Sequence, residues 1–349
     1  MINEITIAGR KIGLAYPPYV IAEMSANHNG YIETAFKIIE EAKKSGADAI
    51  KMQTYTPDTL TLKCDLPDFS ITDGLWAGRT LYDLYEWAHT PWDWHKPLFD
   101  RARQLDITIF SSPFDNTAIN LLEDLNAPAY KIASFEAVDL PLIKYAASTG
   151  KPLIISTGMA DAEEIQEAID AAREGGCKQL AVLHCVSGYP APAEDYNLRT
   201  IPNMIDRFGL VTGLSDHTLD NSTAITSVAM GASIIEKHFT LDRSGGGPDD
   251  GFSLEPAELI ALCHAAKTAW SALGRVDYGR KPSEQENIKF RRSLYFVKDM
   301  KVGDVITSDC IRSVRPGFGI SPKYIEALQG RILNKNVKAY HATSWDQFK

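Results

Sequence analysis

The chain has 349 residues, which exceeds the usual size of a single hydrophobic core, so we expect one large domain and one smaller domain. An apolar fraction of 44% and a charged fraction of 23% are typical of a folded protein. A formal net charge of −9 and an isoelectric point near 5.4 argue against a surface for nucleic acid or an anionic membrane, and they favour a small-molecule partner.

Neither a targeting signal nor a disulfide framework is predicted. The first residues, MINEITIAGRKIG, alternate polar and apolar side chains and carry charges early, unlike a secretory signal peptide. No uninterrupted apolar stretch approaches the ~18 residues that a membrane helix needs. The five cysteines are odd in number, scattered and without a CxxC pair, so we expect reduced thiols and a cytoplasmic protein.

From residue 19 onward, strand-like runs alternate with amphipathic helical stretches, such as 33–46 and 161–176. Eight such runs make eight βα repeats with parallel pairing, the count at which a sheet closes into a TIM (β/α)8 barrel. An open doubly wound sheet is the alternative, but MSANHNG after the first strand lacks the GxGxxG fingerprint. The predicted strands are residues 19–25, 47–53, 107–112, 129–134, 152–157, 179–187, 210–216 and 232–238.

Other segments are predicted around this barrel. Residues 4–14 have the pattern of a hairpin, and residues 54–92 form a long insertion after the second strand, of the kind that builds lids, binding loops or disordered segments. A last helix is predicted at about 256–273, after which the periodicity is lost. The predicted domains are a barrel over 1–275, a linker over 276–287 and a small β-rich module over 288–349.

Polar side chains gather at the carboxyl ends of the predicted strands, which share one rim in a parallel barrel. Lys51 and Lys131 end two of these strands, and serines end several others. Lysine supplies a point charge and hydroxyls supply donors, so the rim suits a phosphate or carboxylate anion, without which two buried lysines would be costly. Side chains of a strand alternate between its two faces, so only one of Ser111 and Ser112 can point inward. For the same reason, Lys131 and Ser134 cannot share a face unless the strand bends or ends between them.

Two histidines, His217 and His238, come from neighbouring strand ends and can reach one point inside the rim. Neutral imidazoles there would make a metal site with positions left for water and substrate. The alternative is a hydrogen-bonded pair of core histidines. Glu236 is either a partner that holds a histidine tautomer or an ion-pair partner in the barrel wall.

The glycine-rich stretch GGGPDDGFSLEP (245–256) follows the last predicted strand. It has the composition of a loop that leads into a helix. Asp249 and Asp250 would then overhang the rim, either as acceptors for sugar hydroxyls or as a general base.

Nine motifs, taken in order and spacing, resemble those of the sialic acid synthases and cover essentially the whole chain. Within that family, SFE (134–136), the glycine-rich stretch, FRRSLYFVKD and RSVRPGFGISPKY most resemble pseudaminic acid synthases. The nine motifs are NHNG, IKMQT, FSSPFD, AYKIAS, STGM, HCVSGYP, GLSDHT, EKHFT and SVRPGFG.

The resemblance implies a TIM barrel followed by an antifreeze-like (SAF) domain, in a domain-swapped homodimer whose small domains cover the partner's barrel. It implies that phosphoenolpyruvate condenses with an open-chain acetamido sugar, here 2,4-diacetamido-2,4,6-trideoxy-L-altrose, to give pseudaminic acid and phosphate. Synthases for N-acetylneuraminate, legionaminate or another sugar acid are the nearest alternatives. A non-catalytic sugar-binding barrel is the alternative from another class.

The resemblance also implies roles for individual residues. His217 and His238 would hold Mn²⁺ or Mg²⁺, and Glu136 or Asp249 would act on the attacking water. Two matches are inexact, because neuraminate enzymes carry threonine at the place of Ser112 and asparagine at the place of Ser187. The phosphoenolpyruvate ligands would be Lys51, Ser112, Lys131, Ser134, Ser156, Ser187 and Ser215. The sugar would meet Glu23, Gln53, Glu136, Tyr189 and Asp249, with Arg315 from the other subunit.

Overall fold

A computed structural model describes residues 4–349 of the chain. It divides into two compact units, one that ends at Gly274 and one that spans Arg275–Lys349. Within the described residues, no helix combines the length and the hydropathy that a membrane crossing requires.

The first unit is a hairpin followed by a closed barrel. The hairpin strands β1 (Ile5–Ile7) and β2 (Arg10–Ile12) pair antiparallel. Eight parallel strands then pair in chain order, and the last pairs with the first, so the predicted TIM barrel is confirmed. The barrel strands are β3 (Tyr19–Glu23), β4 (Ala49–Thr54), β5 (Thr108–Pro113), β6 (Tyr130–Ile132), β7 (Leu153–Ser156), β8 (Leu180–Cys185), β9 (Val211–Asp216) and β10 (Ile234–His238).

Helices connect these strands, and their ends follow local sequence signals. The carboxylate of Asp161 accepts hydrogen bonds from the Glu163 and Glu164 N–H groups at the start of one helix, and Gly46 ends another at a φ of +87°. The helices of this unit are α1 (Ile32–Ser45), α2 (Pro57–Leu60), α3 (Leu81–Ala88), α4 (Trp92–Gln104), α5 (Asn116–Asp124), α6 (Leu140–Ser148), α7 (Ala162–Glu174), α8 (Thr200–Phe208), α9 (Ser222–Ala229) and α10 (Pro256–Leu273). Short 3₁₀ helices are Pro67–Phe69, Ser134–Val138, Ala193–Tyr196 and Asp250–Phe252.

The barrel interior is apolar at one end only. Ile7 and Ile12 of the hairpin belong to the same buried cluster as Ile21, Phe110 and Ile154 of the strands, so the hairpin closes the amino end of the barrel. A larger apolar layer lies between the strands and the surrounding helices. The carboxyl end of the interior is therefore left to polar side chains.

The second unit, Arg275–Lys349, has a small core of its own. Its strands β11 (Ser293–Phe296) and β12 (Ile311–Val314) pair antiparallel, and its helical elements are α11 (Ile325–Leu328) and the 3₁₀ helices Pro282–Phe290, Pro322–Tyr324 and Trp345–Gln347. Leu294, Phe296 and Leu333 are fully buried in this core. The finer domain limits at residues 275 and 287 stay a prediction.

Candidate active site

Two buried lysines and two buried glutamates form an ion cluster at the carboxyl ends of β3, β4, β6 and β10. Lys51 Nζ lies 2.6 Å from Glu23 Oε2 and 3.8 Å from Glu236 Oε1, and Lys131 Nζ lies 3.0 Å from the same Glu236 oxygen. Each of the four side chains is at most 5% exposed. The carboxylates thus balance the lysine charges inside the protein, so Glu236 is an ion-pair partner in the wall, one of its two predicted roles.

The ion pairs of this cluster shift the pKa values of its members, in opposition to the effect of burial. Burial alone would raise the pKa of Glu236, but Lys131 and Lys51 hold it down at about 2. Burial opposes the charged form of Lys51, yet Glu23 and Glu236 outweigh it and raise the pKa of this lysine. Burial lowers the pKa of Lys131 and raises that of Glu23, and their partners only partly offset this.

Serine hydroxyls surround the ion cluster. Ser112 accepts a hydrogen bond from Lys51 Nζ at 3.2 Å, and Ser215 donates to Glu236 Oε1 at 3.2 Å. Ser111 donates outward to the Met52 carbonyl at 3.0 Å, so Ser112 is the serine of this pair that points inward. The hydroxyl of Ser156 is buried without a hydrogen-bond partner among residues 4–349, as expected of a donor that awaits a ligand.

A second group of hydroxyls lies just beyond the strand ends. β6 ends at Ile132, and Ser134 begins the 3₁₀ helix that follows, which resolves its difference in parity from Lys131. Ser134 Oγ lies 2.9 Å from Ser187 Oγ. Gly158, at a φ of +51°, packs against both, and a Cβ there would lie 2.7 Å from the Ser187 hydroxyl and closer still to Ser134 Cβ.

The rings of His217 and His238 lie together, with centroids 5.4 Å apart. His217 Nδ1 is 2.8 Å from the Val186 carbonyl, which can only accept, so Nδ1 carries the proton and Nε2 keeps its lone pair. Within the described residues, the buried Nδ1 of His238 has no hydrogen-bond partner. Burial lowers the pKa of His217 to about 4 and that of His238 well below its usual range, so both rings are neutral.

Two neutral imidazoles side by side could hold a divalent metal ion through nitrogen donors. Over residues 4–349, no group of three or more His, Cys, Asp or Glu side chains is arranged to bind a metal. A metal at this site would therefore complete its coordination with water and substrate.

Lys237 links the segments of the chain that carry His217 and His238. It lies between Glu236 and His238, and its ammonium donates to Asp216 Oδ2 at 3.0 Å and to the Thr218 carbonyl at 2.7 Å. Asp216 and Thr218 flank His217, so this buried lysine ties the end of β10 to the residues around the other imidazole.

Two carboxyl groups with raised pKa values face the space above the cluster. Burial raises the pKa of Glu136 to about 7, and its Oε2 has no hydrogen-bond partner among the described residues. Burial also raises the pKa of Asp249 to about 6, although a hydrogen bond from Ser25 opposes the shift. The two carboxyl groups have different neighbours. Asp249 Oδ2 lies 4.0 Å from His238 Nδ1, and Glu136 lies in the same 3₁₀ helix as Ser134.

These groups open into a cavity of about 430 Å³. Its polar side includes Gln53, Ser134, Glu136, His238 and Asp249. Tyr189 also lines it and packs against His217 and His238, with ring centroids 4.4 Å and 6.3 Å away. Lys51 and Lys131 are buried and do not line this cavity.

The structure thus brings most of the predicted site residues to one end of the barrel. Arg315 belongs to the second unit, where it directly follows β12 and is exposed. Several residues that line the cavity were not among the predicted ligands, including Ser25 and Trp76. Ser25 shares strand parity with Glu23 and could have been inferred, whereas Trp76 belongs to the insertion over 54–92, whose composition indicates a lid or binding loop without singling out this residue.

Residues 38–278 match the NeuB family, and residues 291–340 match the SAF domain. The chain is 43% identical to the pseudaminic acid synthase of Campylobacter jejuni, over 95% of this chain and 96% of that protein. It is 36% identical to the N,N'-diacetyllegionaminic acid synthase of the same species, over 91% and 96%. The crystal structure of N-acetylneuraminic acid synthetase from Leptospira borgpetersenii is similar, with a TM-score of 0.73 and 32% identity over 83% of this chain and 97% of that one.

Proposed function

This chain belongs to the NeuB family, and we propose that it condenses phosphoenolpyruvate with 2,4-diacetamido-2,4,6-trideoxy-L-altrose to give pseudaminic acid and phosphate. The identity of 43% to a pseudaminic acid synthase, against 36% to a diacetyllegionaminic acid synthase of the same species, supports this sugar. A neuraminate or legionaminate synthase is the second candidate, supported by the similarity to the neuraminate synthetase structure.

The observation that carries the proposal is the neutral pair His217 and His238 beside a cluster that contains Lys51 and Lys131. We propose that the imidazoles hold Mn²⁺ or Mg²⁺, with His217 binding through Nε2. A divalent ion bound there would polarise the aldehyde oxygen of the sugar.

The lysines and serines are proposed to hold phosphoenolpyruvate. Lys51 and Lys131 supply the charge, and the hydroxyls supply neutral donors that add no repulsion. The unpartnered hydroxyl of Ser156 supports such a ligand. The proposed set is Lys51, Ser112, Lys131, Ser134, Ser156, Ser187 and Ser215.

The proposed reaction forms a carbon–carbon bond and then releases phosphate. The enol electron pair of phosphoenolpyruvate forms the new bond from its C3 to the aldehyde carbon, while positive charge develops at C2. The π electrons of the aldehyde move to its oxygen, which takes up one proton and becomes a hydroxyl group. Water adds to C2 and loses a proton, and the tetrahedral intermediate expels phosphate to leave a ketone. The serines and lysines keep the phosphate in place throughout, which lowers the barrier through position and electrostatics.

We propose that Glu136 is the base that takes the proton of the attacking water. It lies two residues after Ser134 in the same 3₁₀ helix, and its Oε2 has no hydrogen-bond partner among the described residues. Asp249, next to His238, is proposed to accept a hydrogen bond from the sugar. Glu23, Gln53 and Tyr189 are the other proposed sugar contacts within this unit.

Phosphate release from a panel of sugars tests the function. The protein is supplied with phosphoenolpyruvate, Mn²⁺ and, in turn, the diacetamido altrose, the legionaminate precursor and N-acetylmannosamine. We expect the first to give the highest kcat/KM. Fastest release with either of the others would move the assignment to the sister synthase, and binding of sugar without any release would favour a non-catalytic barrel.

Lys131→Met is expected to lower kcat/KM for phosphoenolpyruvate by about 100-fold, because a hydrogen bond from a charged group contributes about 3 kcal/mol. It also leaves Glu236 short of a counter-charge, so the free energy of unfolding should fall by about 3 kcal/mol. The double variant Lys131→Met/Glu236→Gln should regain the stability but not the activity.

Lys144→Met is the matched control for Lys131, because it removes the exposed Lys144–Glu174 pair and should change the free energy of unfolding by less than about 1 kcal/mol. Chemical denaturation and initial rates measure both quantities. A double variant that recovers wild-type turnover would show that Lys131 serves only to balance Glu236.

Gly158→Ala is expected to lower kcat/KM for phosphoenolpyruvate by about tenfold, because the new methyl displaces Ser134 and Ser187. The control is Gly150→Ala, which shares a positive φ (+76°) but meets no described heavy atom within 4 Å. Both variants carry the backbone cost of a positive φ. Equal kcat/KM in the two variants would contradict a role for these serines in binding.

We also propose a domain-swapped homodimer in which Arg315 reaches the partner's barrel. Exposed apolar side chains around the barrel rim, Phe135, Met159 and Leu219, support a covering domain. Arg315→Ala and His217→Ala/His238→Ala should each be inactive alone. Random mixing at equal amounts should restore about one quarter of the wild-type sites, because half of the dimers are mixed and each keeps one complete site. No recovery in verified mixed dimers would contradict the swap.

A cytoplasmic location is proposed for this enzyme. All five cysteines lie within the described residues and are free thiols, which supports a reducing compartment. Cell fractionation with an antibody against the chain would test the location.

A further inference from the structure

A buried carboxylate joins the glycine-rich stretch to the turn that follows β3. Asp250 is 1% exposed, and both of its oxygens accept hydrogen bonds. Oδ1 accepts from Thr240 Oγ1 at 2.5 Å, and Oδ2 accepts from Asn29 Nδ2 at 3.0 Å and from the Gly247 N–H at 2.8 Å. Asp250 is therefore not the acceptor or general base at the rim that the sequence also allowed.

The donors to Asp250 come from different parts of the chain. Asn29 belongs to the NHNG turn (27–30), Thr240 follows β10, and Gly247 lies in the glycine-rich stretch itself. A buried carboxylate is costly unless its oxygens are satisfied, and it accepts stronger hydrogen bonds than a neutral oxygen does. Asp250 thus holds the stretch against two strand ends. We call Asn29, Thr240, Gly247 and Asp250 the Asp250 clamp.

Asn27, the other asparagine of the NHNG turn, supports the backbone of Asp249. Its Nδ2 donates to Ser253 Oγ at 2.8 Å, and Ser253 Oγ donates to the Asp249 carbonyl at 2.7 Å. The same amide donates to the Phe239 carbonyl at 2.9 Å. Asp249 and Ser253 flank the 3₁₀ helix Asp250–Phe252, so the NHNG turn contacts this short helix at its start and at its end.

The close approach between the stretch and the turn requires glycine at two positions. A Cβ at Gly247 would lie 1.8 Å from Asn29 Oδ1, and a Cβ at Gly245 would lie 2.7 Å from Asp250 Oδ2. Neither glycine has a positive φ, so lack of space and not backbone conformation excludes a side chain. By contrast, a Cβ at Gly251 would meet no described heavy atom within 4 Å.

The clamp holds two residues that line the cavity. Pro248 and Asp249 are part of the cavity lining, whereas the four clamp residues are not. The Pro248 carbonyl accepts a hydrogen bond from Trp76 Nε1 at 2.9 Å, and the Asp249 carboxylate accepts one from Ser25. An effect of the clamp on a ligand in the cavity must therefore pass through the residues that it holds.

We propose that Asp250 and Asn29 are positioning residues, which fix the carboxylate of Asp249 where it receives the sugar. This inference rests on the proposed function and adds residues that act on the sugar without touching it. The stretch contains three consecutive glycines, and fixing it beforehand removes the entropic cost of ordering it when the sugar binds. The clamp should therefore affect the KM for the sugar and not the KM for phosphoenolpyruvate.

Gly247→Ala tests the proposal, because the new methyl would push Asn29 away from Asp250. The KM for the sugar should rise about tenfold, which corresponds to the loss of one hydrogen bond to a carboxylate, and the KM for phosphoenolpyruvate should stay within about twofold. Gly251→Ala is the matched control in the same stretch and should leave both KM values unchanged. Asn29→Ala is a second clamp variant, for the case that Gly247→Ala does not fold, and melting temperatures establish folding.

A double-variant cycle separates positioning from a purely structural role. If the clamp acts through Asp249, Gly247→Ala should raise the KM for the sugar in the wild type but not in Asp249→Asn. An equal rise in both backgrounds, or an equal rise in the KM for phosphoenolpyruvate, would overturn the inference, because the clamp would then only support the fold.

Unchanged KM for the sugar in the folded clamp variants would also overturn the inference, while the proposed function would stand as long as the wild type turns over. A wild type that releases no phosphate with any sugar would overturn the proposed function, and this inference with it.

Discussion

The double variant His217→Ala/His238→Ala should release phosphate at least about 1,000-fold more slowly than the wild type, since polarisation by a bound metal contributes several kcal/mol and each 1.36 kcal/mol is tenfold in rate. Mn²⁺ binding, measured by calorimetry without substrates, should be lost in the same variant. The two rings are neutral and their centroids are 5.4 Å apart, so their removal takes away the proposed protein donors.

His184→Ala is the control for this variant, because it removes another strand-end imidazole, one that contacts the Tyr196 carbonyl and does not line the cavity. It should keep Mn²⁺ binding and turnover within about tenfold of the wild type. Melting temperatures establish that all variants are folded. Undiminished turnover of the double variant after treatment with a chelator would refute the metal assignment and the mechanism built on it.

Turnover should depend on pH through Glu136. Burial raises the pKa of this carboxyl to about 7, so it is protonated below pH 7 and charged above it. A general base works in its charged form, and kcat should therefore fall about tenfold for each pH unit below 7. Glu136→Gln should lower kcat by about 100-fold or more and abolish this acidic limb. Rates between pH 5 and 9 measure the effect.

Asp249→Asn provides the comparison for Glu136→Gln, because the pKa of Asp249 is also raised, to about 6, and it lines the same cavity. If Asp249 binds the sugar, its replacement should mainly raise KM for the sugar and keep the acidic limb. If the fall in kcat at acidic pH persists in Glu136→Gln and disappears in Asp249→Asn, then Asp249 and not Glu136 is the base that takes the proton of the attacking water.

Several features of the fold were predictable because they depend on neighbours in the sequence. The alternation of strands and helices indicated the barrel, and Asp161 and Gly46 indicated helix ends, since capping and positive φ act within a single turn. The resemblance to sialic acid synthases is confirmed by the matches to the NeuB family and the SAF domain.

The grouping of the site residues was also predictable, since parallel strands of a barrel end at one rim. The partner of each residue at that rim could not be predicted from the sequence. The lysines were expected to need a bound anion, but Glu23 and Glu236 balance them, and Glu236 lies 105 positions from Lys131 in the chain. The choice between Ser111 and Ser112, and the position of Ser134, depended on where each strand bends or ends.

The sequence by itself determined the class of fold and the end of the barrel at which the candidate site residues, including His217 and His238, meet, because periodicity, caps and strand ends are local properties. Only the tertiary structure decided which charges neutralise each other, which nitrogen of His217 keeps its lone pair, and that Trp76 meets Pro248 across 172 positions. These contacts arise when the barrel closes and burial removes water, since each buried polar group must then take whichever partner the closed barrel brings within reach.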